Sequence, residues 1–378
     1  MHGGGWAAAA VFALVPAVAR AQPPAPATQG PESWVLSLGI QEAWEKNIRN
    51  SSLGQDDTFT RFVGGLSHAH QGPRLTFDLA ANGAGNVYRQ NSGLNVFNYT
   101  GTVGLGYRLS SRSVLALRDT LVSVYNTDLV GFGDEGEILE LTLVRRNRAT
   151  ASLSHRISTR TNLTLSGRHD YVDFDSETAI DGQWYGGGLD LSRSFGESTT
   201  WTLGANVSRS ERLGTTADVG TATLGWGHTF MRNWSASLAG GITQIRSGGR
   251  DRTRWNAEAD LSRRVEGSTF SMGYVRRVGQ AFGLGRERET DAFRLGYDRA
   301  LGTKFVLSGD FNYVVSRDPF DPAFTLKTQI YAVGLTYNLA SEWSLRGSYL
   351  FRRRSGITGQ SIDGQRALIG LAYRKVWR

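Results

Sequence analysis

From Trp34 to the C-terminus, apolar and polar residues alternate with period two, in segments of about 12 to 15 residues that end in clusters of Gly, Ser, Asn or Asp. Trp201, Leu203, Ala205 and Val207 share one face of such a segment, with Thr202, Gly204, Asn206 and Ser208 on the other. Phe305, Leu307, Gly309, Phe311 and Tyr313 oppose Lys304, Ser308, Asp310 and Asn312 in the same way. Trp343, Leu345, Gly347, Tyr349 and Phe351 oppose Ser344, Arg346, Ser348 and Arg352. Period two is the spacing of a strand with one apolar face, and amphipathicity at 3.6 is hard to find anywhere in the chain.

The connections between segments alternate in length. Eight are short, among them 70–73, 110–112, 158–161, 302–303 and 340–342. Nine are longer and more polar, among them 47–57, 127–137, 282–289, 317–324 and 355–363. Eighteen segments result, and sixteen is the alternative count. An even number of antiparallel strands, with tight turns at one end and loops at the other, defines an all-β, transmembrane, up-and-down β-barrel with both termini in the periplasm. The alternation is weakest over 34–46, 58–69 and 113–126, where it slips as a bulge would make it slip.

Composition agrees. Gly is 47 of 378 residues, aromatics are 11% and Pro is only 8. The mean hydropathy of −0.31 leaves no apolar run beyond the N-terminus long enough for a spanning helix of ~20 residues. Cys is 0, which removes disulfides, thiolate metal sites and cysteine nucleophiles. Residues 1–21 read as a secretory signal peptide, cleaved after Ala21 at the small-x-small site Ala19-Arg20-Ala21. Residues 22–33 are a Pro-rich periplasmic lead-in, and 34–378 form the barrel. Export, hairpin regularity without a domain break, and a polar face mixing small with charged residues favour an outer-membrane barrel over a soluble sandwich. In hydrocarbon every backbone amide must be paired, so the sheet must close. Aromatics gather near the short turns (Tyr107, Phe195, Trp201, Phe230, Trp234, Phe270, Phe305, Tyr337, Trp343), where a bilayer interface holds amphipathic rings. In the last segment Leu368, Gly370, Tyr373 and Trp377 resemble the C-terminal signal read by barrel-insertion machinery, although Lys375 and the final Arg378 depart from it.

At ~4.8 Å between strands and ~40° tilt, eighteen strands close at a backbone radius of roughly 18 Å, too wide for side chains to fill. The inner face then carries Arg74, Arg108, Arg148, Arg156, Arg168, Arg264, Arg294, Arg346 and Arg352, with Asp78, Asp260 and Asp310 among them. The formal net charge is +8, and of 42 basic residues only Lys46, Lys304, Lys327 and Lys375 are lysine. Guanidinium is the cation that binds carboxylate, sulfate or phosphate in a bidentate way, so this wall would attract anions. The plainer reading is cross-strand Arg–Asp pairing that rigidifies the wall. No loop is long enough to fold inward as a large plug, so selectivity falls to wall side chains. The basic stretch 246–254 and Arg352-Arg353-Arg354 lie at the outer rim, beside outer-membrane lipid and lipopolysaccharide phosphates.

Other signals carry less. Gly131-Phe-Gly133-Asp-Glu-Gly136 matches a nucleotide-binding spacing but lies in a loop between antiparallel strands. Asp173, Asp175, Glu177 and Asp181 have Thr178 where a calcium loop needs Gly. His155 with nearby serines imitates an acylhydrolase, while His169 and Asp170 would face opposite sides of a strand. No metal, cofactor or nucleic-acid partner is implied, and a non-enzymatic role is expected.

The strand grammar of Val96–Leu109 and of Asn162–Arg168 resembles that of the β-barrel porin 2 family, outer-membrane barrels often encoded with exopolysaccharide genes. That resemblance implies export of a polysaccharide, plausibly acidic, with a periplasmic export component as partner. The expected function is therefore a passive outer-membrane channel for an anionic exopolysaccharide. A general diffusion porin for small anions, and an enzyme or structural barrel, stand as alternatives.

Overall fold

The computed structural model describes residues 32–48, 54–125, 142–177, 179–212, 214–231, 233–281, 286–321, 324–356 and 361–377. Signal peptide, most of the lead-in and the loop around Gly131–Gly136 lie outside the described residues.

Eighteen strands follow one another in chain order. They are β1 (Glu32–Lys46), β2 (Asp57–Gln71), β3 (Leu75–Tyr88), β4 (Val96–Arg108), β5 (Ser113–Tyr125), β6 (Leu143–Arg156), β7 (Thr161–Phe174), β8 (Gly182–Phe195) and β9 (Thr199–Arg212). The second half comprises β10 (Thr215–Phe230), β11 (Trp234–Ser247), β12 (Arg250–Val265), β13 (Ser268–Ala281), β14 (Arg286–Leu301), β15 (Phe305–Arg317), β16 (Thr325–Asn338), β17 (Trp343–Ser355) and β18 (Ser361–Trp377). Each pairs antiparallel with its sequence neighbours, and β1 pairs with β18 from Trp34↔Trp377 to Lys46↔Gln365, so the sheet has no edge. Closure satisfies the backbone in hydrocarbon, as the alternation required.

Paired residues share a face, so register fixes which side chains meet lipid. Leu38, Phe62, Leu203, Leu224, Ile242, Val333 and Ile369 all point outward and are exposed. The nine aromatics near the short turns are on that face, and rings meet across strands there, Phe305–Tyr337 at 4.6 Å and Trp343–Tyr373 at 4.9 Å. At the other end, outward Arg–carboxylate pairs border the apolar belt: Arg209–Asp218 at 2.7 Å, Arg246–Asp251 at 3.0 Å and Arg353–Asp363 at 2.8 Å.

Strands β1, β2 and β5 pair one-to-one with their neighbours, without the bulge that the sequence suggested. The slip in their pattern has another cause. Glu42, Thr60 and Asp119 face outward, whereas Phe59, Ala43 and Val122 face the lumen. Phe59 and Ala43 are covered there by Ile48 of the β1–β2 loop, Tyr88, and Leu94 of a 3-10 turn at Ser92–Leu94. A lumen-side apolar cluster under an inward-folded loop breaks binary alternation without breaking the strand.

Candidate functional site

The lumen wall is the surface that fold and charge single out, and its side chains fall into three levels. At the periplasmic rim, Arg108, Arg156 and Arg264 occupy or adjoin the last inward positions of β4, β6 and β12. Arg74 lies in the turn between β2 and β3 instead of on a strand, where its carbonyl accepts the Arg108 amide at 2.8 Å. Pro73 before it ends the hairpin, so alternation cannot be extended through Arg74.

Along the middle of the wall a common device holds acid and base flat. Asp78 on β3 faces Gly104 on β4, which faces Arg118 on β5, and Arg118 Nη2 donates to Asp78 Oδ2 at 3.1 Å across the glycine. Asp260 on β12, Gly273 on β13 and Arg294 on β14 repeat the row. A Cβ at Gly273 would stand 2.7 Å from Asp260 Oδ1, so the missing side chain is what lets that carboxylate lie over the middle strand. Replacing Gly104 by Leu is expected to push Asp78 and Arg118 into the lumen and lower conductance while the barrel still folds. Single-channel recording beside heat-modifiable gel mobility checks both. Asp310 on β15 lies next to Gly296 on β14. Arg346 on β17 faces the lumen, and among the described residues its Nε has no hydrogen-bond partner.

Nearer the extracellular end, three arginines converge on one carboxylate. Arg146 Nε and Nη2 donate to Asp170 Oδ1 at 3.1 and 3.0 Å, Arg148 Nε to the same oxygen at 2.8 Å, and Arg168 Nε to Oδ2 at 2.6 Å. Asp170 is 1% exposed, whereas the Arg168 side chain is 37% exposed to the lumen and lies 4.6 Å over the Trp184 ring. Of the three, Arg168 is the one that opens furthest to the lumen. On the arc of β17, β18 and β1, Arg366 Nη2 binds both Glu45 oxygens at 2.9 Å, and the Arg352 guanidinium packs over Gly364.

The mouth bears on the expectation that no loop is long enough to fold inward as a large plug, because here a strand hairpin leans in. Pairing of β12 with β13 stops at Ala257↔Arg276, although β12 continues to Arg250 on its β11 side and β13 continues to Ala281 against β14. The free end of the β13–β14 hairpin therefore parts from β12. Its four consecutive residues Glu287, Arg288, Glu289 and Thr290 are buried on both faces. Glu287 pairs with Arg212 on β9, and Glu289 pairs with the inward Arg254 on β12 at 3.0 Å. In a circular barrel of this size, strands five apart stand roughly 28 Å from each other, so the hairpin has crossed part of the lumen to reach β9. The wall behind it is covered accordingly: Ser210, Ala217, Thr243 and Ile245, on the inner face of β9 to β11, are at most 2% exposed. The β15–β16 connection leans in as well, with Arg254 Nη2 donating to Pro319 O at 2.9 Å.

Register turns Asp78, Arg148, Arg168, Asp260, Arg294, Asp310, Arg346 and Arg352 to the inner face, and the partners they have there are not readable from the sequence. Arg118, Arg146, Arg212, Arg254 and the hairpin acids are not among the expected wall residues. The readable signal is Arg286-Glu-Arg-Glu289, whose alternation continues period two beyond the expected strand end. The basic stretch 246–254 is a tight hairpin turning at Gly248 and Gly249, both at positive φ, so its arginines divide between the two faces. Ser113 Oγ lies 2.9 Å from His155 Nδ1 on the outward face, and among the described residues no carboxylate orients the ring. Thr199 and His228 repeat that contact at 2.7 Å, which marks both as interface hydrogen bonds. Among the described residues no cluster of metal-ligating side chains occurs.

No family model and no curated protein matches the chain. Solved structures of outer-membrane channels do. The chain is similar to OccAB4 of Acinetobacter baumannii, with a TM-score of 0.53 at 11% identity over 93% of this chain and 100% of that one. It is similar to Pseudomonas aeruginosa OpdK, solved with vanillate, with a TM-score of 0.52 at 15% identity over 92% and 99%. Pseudomonas aeruginosa OccK9 (OpdG) matches with a TM-score of 0.51 at 13% identity over 92% and 98%. The fold is thus the closed 18-stranded barrel that these outer-membrane channels share. The narrower likeness to exopolysaccharide-associated barrels rests on strand grammar alone.

Proposed function

We propose that the protein is an outer-membrane channel that passes anionic solutes by diffusion. The observation that carries this reading is the convergence of Arg146, Arg148 and Arg168 on the single carboxylate of Asp170, just inside the mouth. Charge of one sign on a low-dielectric wall raises the local concentration of counter-ions, while multiple weak sites let them leave. Acids such as Asp78, paired with Arg118, and Asp260, in register with Arg294, keep the field moderate further along. OpdK, which shares the fold, was solved with a small carboxylate, in keeping with this solute class.

The inward hairpin favours small anions over a polymer, because it narrows the opening through which a chain must thread. Export of an anionic exopolysaccharide, handed over by a periplasmic component, is the second reading, supported by the strand grammar and the same arginines. Blockade separates them. Small carboxylates are expected to produce brief, frequent interruptions of single-channel current, whereas a long acidic glycan added to the periplasmic side should leave it unchanged. Sustained, voltage-dependent block by the glycan, with translocation events that lengthen with chain length, would replace the small-anion reading by the export reading.

A further inference from the structure

We propose that the outward face of β5 to β7 is a contact surface for a second copy of this chain, centred on Asp119. Asp119 pairs with Val103, which lies four residues from each of the outward rings Tyr99 and Tyr107 on β4. At the usual rise and tilt that sets the carboxylate about 10 Å from either interface, deep in the hydrocarbon. Leu117 and Leu121 flank it on the same face and are exposed. Other outward carboxylates, such as Glu42, Asp173, Asp218 and Asp363, sit toward the extracellular ends, each ion-paired with an arginine. Asp119 has no cation: Asn147 Nδ2 donates to Oδ1 at 2.9 Å, and among the described residues nothing donates to Oδ2.

An acyl chain offers no hydrogen-bond donor, so lipid alone leaves this acceptor unsatisfied. The donors at this depth are on the same patch. Asn147 lies beside the carboxylate, and His169 is two strands away along the register, paired with Ala149, which pairs with Asp119. A patch that holds both acceptor and donors is complementary to itself, which is what a cyclic contact requires. Its relief is low as well. Gly101, Ala149, Ala151 and Gly167 surround Asp119 on the outward face; a Cβ at Gly101 would meet nothing within 4 Å, and one at Gly167 would meet only Gly186 O, at 4.0 Å. This barrel therefore does not itself require those glycines, and their lack of side chains allows close approach of another wall. The face of β15 to β17 is the contrast, filled by Phe311, Tyr331, Tyr349 and Phe351.

The absence of native cysteine makes the test direct. Leu121→Cys, oxidised in native outer membranes, is expected to give a disulfide-linked pair of chains, and Val333→Cys on β16 is not. In mild detergent the wild-type protein should have the mass of an oligomer, and Asp119→Leu with Asn147→Leu the mass of one chain with unchanged heat-modifiable mobility. A single-chain mass for the wild type without cross-linking at Leu121→Cys, equal cross-linking at both cysteines, or an oligomer that survives the double substitution would overturn the proposal. None of these outcomes depends on which solute the pore passes.

Discussion

Arg212→Ala raises the single-channel conductance of the reconstituted barrel. The Arg212–Glu287 pair joins the β13–β14 hairpin to the far wall, and both side chains are at most 5% exposed. Removing one partner of a buried pair costs about 3–5 kcal/mol, because the remaining charge stays desolvated. Swinging the hairpin out returns Glu287 to water, and that gain is set against the loss of the Arg254–Glu289 pair and of the cover over Ile245. Glu287→Gln should act in the same direction, less strongly, since an amide is cheaper to keep buried than a carboxylate. The measurement is conductance at fixed salt, with the strand content followed by circular dichroism. Unchanged conductance in both variants would mean that the hairpin does not limit the opening.

The second large effect is expected at Asp170. Asp170→Asn keeps the shape but removes the carboxylate on which three guanidiniums converge, so Arg146, of which 6% is exposed, meets a neutral acceptor there. A loss of about 3–5 kcal/mol follows from breaking a buried ionic cluster, and should appear as a lower temperature for the heat-modifiable shift on gels. Arg148 and Arg168 reach the lumen, so their release strengthens the positive field there. Anion preference should therefore rise while stability falls. Arg168→Gln, which removes a cation and leaves two around Asp170, should reduce anion preference with a much smaller loss of stability. Opposite movement of the two quantities in Asp170→Asn separates a role in permeation from a merely structural one.

Much of this architecture was legible in the chain because barrel strands obey one local rule. Alternation such as that of Trp201–Ser208 gives the two faces, and alternating turn length gives the order of pairing, so eighteen strands could be counted from residues alone. The inner face of β7 and β14 followed by parity. What local rules do not contain is contact between distant segments. The Asp78–Gly104–Arg118 row spans three strands, and its glycine is informative only once register is known. Phe59 and Ala43 blurred the pattern because the loop that covers them comes from above the wall, and Asp119 blurred it by facing lipid. The inward hairpin is not legible from loop length alone, because the strands that lengthen it pair beyond their neighbour. Arg277–Ala281 and Arg286–Thr290 pair with each other beyond the point where β12 lets go, so a short loop is carried far into the lumen.

The reversal potential of the reconstituted wild-type channel in a potassium chloride gradient tests the central claim most directly. A potential of the sign set by chloride, moving toward zero in Arg168→Gln, is the result that an arginine-lined aqueous pore predicts. A potential of the sign set by potassium, or a membrane that stays non-conducting at protein densities where the folded barrel is inserted, would contradict it.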